Sequence, residues 1–86
     1  MINNINCESK LKQYYEVFVY LKLQINNELL IVEINKYLNW IQRSLCILHN
    51  YESSFRTISE IEEQLRKNVH VYDDFIKNNL LREEVK

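Results

Sequence analysis

Residues 17–34 read VFVYLKLQINNELLIVEI, and the choice between strand and helix for this stretch decides the fold. As strands, two β-prone runs would flank Asn26 and Asn27, residues that tolerate the positive φ of a two-residue hairpin turn. Ile25 would then face Glu28, Leu23 face Leu30, Leu21 face Val32 and Val19 face Ile34, a good apolar cross-strand surface. The opposite surface spoils the alternation, because Phe18, Tyr20, Leu29 and Ile31 would sit there among Lys22, Gln24 and Glu33. As a helix, Leu11, Tyr14, Tyr15, Phe18, Leu21, Ile25, Leu29 and Val32 share one face with Lys22 the single charge among them. The helical stripe joins more residues, so the sequence predicts an all-α fold. The competing architecture is α+β, with a hairpin at about 17–35 followed by two helices.

The next segment settles how many helices there are. In residues 34–48, INKYLNWIQRSLCIL, Ile34, Leu38, Ile41, Leu45 and Leu48 recur at alternating steps of four and three, with Tyr37 widening the stripe. Asn35, Asn39, Gln42 and Arg43 fall elsewhere on the wheel. This face points well over a quarter-turn away from the stripe that precedes it, and one straight helix cannot bury both against one neighbour. A turn at Asn26–Asn27 resolves the conflict, since adjacent asparagines are poor helix formers and good caps. A second stop is expected in HNYESS, residues 49–54. Beyond it Thr57 and Glu60 have capping-box spacing, and Ile58, Ile61, Leu65, Val69, Tyr72, Ile76 and Leu80 continue as the stripe of a third helix. Leu45 and Leu65 are expected to face each other's helices.

The expected architecture is therefore one domain over residues 1–86, a small antiparallel bundle of about three helices at about 8–25, 28–50 and 57–82. Residues 1–7 form a lead-in with Asn6 as N-cap, and the tail past Leu81 frays. Glu8 and Lys12 form an i,i+4 pair in the first helix; Glu62 with Arg66, Glu63 with Lys67 and Asp73 with Lys77 do so in the third.

Composition bounds the function. The 86 residues suffice for one core, near the size at which that core is marginal. Gly, Pro and Ala are absent while Ile, Asn, Lys and Tyr abound, which points to an AT-rich genome. A net charge of -1 supplies no field for nucleic acid or an anionic membrane. MINNINCESK lacks the basic-then-apolar order of a secretory signal, and no run approaches the about 20 apolar residues of a membrane span. A cytoplasmic protein is expected, with Cys7 and Cys46 reduced and Cys46 a small buried hydrophobe.

No group of residues specifies a catalytic chemistry. Cys46 with His49, and His70 with Asp73, each supply half a zinc site, but antiparallel packing leaves His70 about 18 Å along the axis from the level of His49. No metal, cofactor or catalytic residue is therefore assigned. Glu60, Glu62 and Glu63 suit a helix N-terminus, and the same glutamates argue against a DNA-recognition helix there.

What remains is surface apolarity. Val17, Val19, Tyr20 and Leu23 lie off the first stripe, Leu30 and Ile31 off its continuation, and Trp40 beside the second. Such a patch marks an interface. The function expected is a non-enzymatic helical interaction module whose partner is another protein or another copy of itself, self-association being favoured. The alternatives are a small inhibitor or immunity-type protein that blocks an enzyme and, further off, a DNA-binding regulator.

Overall fold

The computed structural model describes residues 3–50 and 52–85, with side-chain surroundings for 7–50 and 52–79. Three helices account for it: α1 (Asn3–Gln24), α2 (Glu28–Leu48) and α3 (Phe55–Val85). The stretch 17–34 is helix, turn, helix. Asn27 is the reason it breaks there. Its backbone is extended at φ -82°, ψ 120°, and its side chain accepts from the amides of Leu29 and Leu30, at 2.8 and 3.3 Å. Two of the amide donors that any helix start leaves unpaired are thereby satisfied.

The second turn is tied more heavily. His49 caps α2, its amide donating to the Leu45 carbonyl and the Asn50 amide to the Ile47 carbonyl, each at 3.0 Å, and Ser53 Oγ donates to the Ile47 carbonyl at 2.7 Å. Asn50 Oδ1 accepts from the Glu52 amide at 3.0 Å. Ser54 then takes the role expected of Thr57: its Oγ accepts from the Thr57 amide at 3.0 Å, so α3 begins two residues before the expected start. With Ser54 as the capping side chain the helix starts at Phe55, and Thr57 becomes a residue of its first turn.

The helices run up, down and up. Glu8 at the foot of α1 meets His49 at the foot of α2, while Tyr14 and Phe18 of α1 meet Asp73 and Phe75 of α3 in the same order along both chains. The 31 residues of α3, at about 1.5 Å each, match the 46 Å long axis of the molecule. Helix ends differ from expectation at both termini. α1 already includes Asn3, so Asn6 lies within the helix and is no cap, and α3 continues through Val85 where a frayed tail was expected. The stripe position Leu80 lies outside the described surroundings.

Packing makes α1 the middle of the structure. Cys7, Leu11, Tyr14, Phe18 and Leu21 are buried on it, against Ile34, Ile41 and Ser44 on α2 and Ile61, Leu65, Tyr72 and Asn79 on α3. α2 and α3 approach α1 more closely than they approach each other. Large rings fill the interval: Tyr37 of α2 lies 5.0 Å from Tyr72 and 5.4 Å from Phe75 between centroids. Leu45 is accordingly half-buried and lines the α1–α2 groove with Lys12, Tyr15 and Glu16. It borders α1 there, where α3 was the expected neighbour, because it lies on the flank of the α2 stripe away from Tyr37, the residue that meets α3.

Two outcomes follow from this packing. Leu65→Ala removes a nearly fully buried side chain and should cost about 2–5 kcal/mol, while Leu45→Ala, already half open to the groove, should cost distinctly less in the same urea titration. Asn27→Ala should cost about 1 kcal/mol; a melting temperature indistinguishable from wild type would mean the turn does not depend on that cap.

Candidate functional site

Several polar side chains of the bundle make hydrogen bonds that tie the helices together or cap them. Tyr14 donates to Asp73 Oδ1 at 2.7 Å and Tyr37 to Glu33 Oε2 at 2.7 Å, and Asn68 Nδ2 reaches the Tyr72 hydroxyl at 3.5 Å. Burial, then the carboxylate partner of each, raises the hydroxyl pKa of Tyr14 and Tyr37. Burial alone pushes Tyr72 up to about 12, against a small opposing pull from Asn68. Glu8 holds both Lys12, at 3.5 Å, and His49 Nε2, at 2.7 Å. Burial foremost, then the charge of Glu62, pushes the Cys7 thiol up, which disfavours the reactive thiolate.

The candidate metal halves do not converge. Cys46 is exposed where a buried position was expected, since it falls on the outer side of α2 opposite Ile41 and Ser44; His49 is engaged by Glu8 and Asp73 by Tyr14. Among the described residues no three His, Cys, Asp or Glu side chains are grouped to hold an ion. The glutamates at the start of α3 form ion pairs along their own helix, Glu60 with Arg56 at 3.5 Å and Glu63 with Arg66 at 2.8 Å. The second pair joins Glu63 to Arg66 at i,i+3, where an i,i+4 bond to Lys67 was expected. Asp73 likewise turns to Tyr14. No described helix is long and apolar enough to cross a membrane.

The expected interface residues separate into two groups. Val19, Tyr20 and Leu23 stand outward on the upper half of α1, 36%, 53% and 78% exposed. Val17 and Trp40 are half-buried and packed against the core, and Leu30 and Ile31 are half-buried at the start of α2. Two residues placed on the buried stripe stand outside instead: Leu29 is 80% and Val32 57% exposed. The reason is phase. Once the chain breaks at Asn27, the wheel restarts, and steps of three and four backwards from Ile34 reach Leu30 and Ile31. Leu29 and Val32 then fall on the far side, with Lys36 and Arg43. Extending the α2 stripe backwards only as far as the turn would have found them. Phe55 and Val71 are also exposed.

A shallow groove runs between α1 and α2, lined by Lys12, Tyr15, Glu16, Gln42 and Leu45. Steps of four and three from Lys12 through Glu16 lead to Val19 and Leu23, so its α1 lip becomes apolar toward the Asn27 turn. Comparison with protein-family models, curated proteins and solved structures finds no match for this chain. The functional reading therefore rests on this surface geometry.

The tyrosines generate a pH dependence. Because their folded-state pKa values lie above the unfolded value of about 10, the stabilisation is complete below about pH 10 and is lost as pH rises toward the folded values. Urea midpoints should therefore fall above about pH 10, and Tyr14→Phe or Tyr37→Phe should make that fall shallower. An identical alkaline slope in both variants would assign it to other groups.

Proposed function

We propose that this protein is a helical interaction module that associates with a second copy of itself through the outward upper face of α1. The observation that carries the reading is the exposure of Val19, Tyr20 and Leu23 together on one stretch of a rigid helix. Their opposite face is locked by Phe18 and Leu21, which have no solvent exposure, so the patch is presented in a fixed geometry and the ordering cost of association is small.

Charge supports a like partner. Glu16 is the last acidic position before this face and Lys22 flanks it beside Val19, leaving the centre of the patch uncharged. Two copies crossing about a two-fold axis near Tyr20 place Glu16 of each opposite the neutral Gln24 level of the other, without like charges in register. Closed two-fold pairs are the commonest way for one surface to cover itself. Tyr20 joins a large apolar ring to a hydroxyl that can stay wet at the rim. A small patch of this kind belongs with weak, reversible interfaces.

Sedimentation velocity over a micromolar concentration series tests it. The wild type should shift from monomer toward dimer with concentration, and Val19→Glu with Leu23→Glu should sediment as monomer with an unchanged helical circular dichroism spectrum. A strictly monomeric wild type overturns the reading, as does a variant that still pairs.

A further inference from the structure

The outer face of α2 has a different character from that of α1. Leu29, Val32, Lys36, Asn39 and Arg43 follow one another at steps of three and four, all exposed, which makes a straight seam of coiled-coil spacing. The seam is apolar at the Asn27 end and basic further down. Lys36 and Arg43 are one heptad apart, about 10 Å along the axis, and among the described residues neither has an ion-pair partner. Arg56 and Arg66 of α3 are, by contrast, paired along their own helix.

We infer that this face docks an acidic amphipathic helix of another protein. Charge selects the occupant. A second copy of α2 running parallel would oppose Lys36 and Arg43 with their own like charges, and an antiparallel copy centred on the seam would set Lys36 against Lys36 and Arg43 against Leu29, which costs free energy at the centre of the seam. A partner with two glutamates one heptad apart pairs with both, and apolar residues in its following turns cover Leu29 and Val32. The helix dipoles fix its direction. Running antiparallel to α2, the partner sets its positive N-terminal end beside the negative C-terminal end of α2, and the glutamate that meets Arg43 lies nearest its own N-terminus, the favourable end for a negative charge. α2 is a firm platform for such docking, anchored from behind by Ile34, Ile41 and Ser44 and at its start by Asn27. This surface is separate from the α1 face, and its occupation does not depend on self-association.

A stapled, fluorescein-labelled helical peptide with two glutamates one heptad apart, followed by two leucines continuing the same seam, is the probe. Its anisotropy should rise on titration with the full chain, and Lys36→Glu with Arg43→Glu should weaken binding about tenfold or more. A matching peptide with lysines in place of the glutamates should bind that charge-reversed variant and not the wild type. Leu29→Ser with Val32→Ser should also weaken the acidic peptide, while Val19→Glu with Leu23→Glu should leave its affinity unchanged. Equal binding of both peptides to wild type, or no binding of the acidic one, overturns the inference. So does co-flotation of the wild type with phosphatidylserine vesicles in place of peptide binding, which would assign the basic seam to a lipid surface. Loss of dimer in the Lys36→Glu, Arg43→Glu variant would assign it to a second copy.

Discussion

The ring of Phe18 is where the three helices meet. It has no solvent exposure and lies within 5.2 Å, centroid to centroid, of both Tyr37 from α2 and Tyr72 from α3, with Phe75 of α3 at 6.1 Å. Edge-on and tilted ring contacts of this type add to the burial of large apolar area. In a chain with no alanine or glycine the helices cannot approach closely, so the structure is built on bulk: rings span the interval between α2 and α3. Tyr14 of α1 packs on Phe18 and Tyr72 and joins Tyr37 and Tyr72 as the third tyrosine of the cluster, and a buried hydroxyl needs a partner. Each finds one at the rim, on Asp73, Glu33 or Asn68, so the cluster is dry in its middle and polar at its edges. That constraint fixes the rotation of all three helices.

Much of this was legible as periodicity. Leu11, Tyr14, Phe18, Leu21, Ile34, Ile41, Ile61, Leu65 and Tyr72 all fall on stripes readable from residue spacing, and all are buried. Asn27 was legible as a breaker because its side chain acts locally. Residues whose place depends on another helix were not. Leu45 has the spacing of a core residue, yet whether it borders α1 or α3 depends on how those two helices dock around α2, which no single-helix pattern encodes. Asp73 reads as half of an i,i+4 pair with Lys77, and only the docking of α1 offers it Tyr14.

The surface was less legible than the core for a related reason. A side chain is buried or exposed by the phase of its helix, and phase is reset at each turn. Leu29 and Val32 continue the α1 periodicity in sequence but belong to α2 in space, so their stripe ended at Asn27. Leu30 and Ile31 exchange roles with them for the same reason. A stripe is informative only between two breaks.

Charge divides the outer faces in a way that net charge conceals. At -1 overall the chain looks featureless, but its ionic groups are unevenly used. Glu60 and Glu63 are matched within α3, and Glu8 takes both Lys12 and His49, so these charges are internally compensated. Lys36 and Arg43 on α2 have no such compensation among the described residues, and they share one seam with exposed leucine and valine. The upper face of α1 is apolar without charge at its centre. A surface that is uncharged at its centre can meet its own copy, whereas one bearing two like charges at heptad spacing repels its copy and attracts the opposite sign. The same bundle therefore presents backs of different preference on α1 and α2, and the aromatic core that fixes helix rotation is what keeps the two apart.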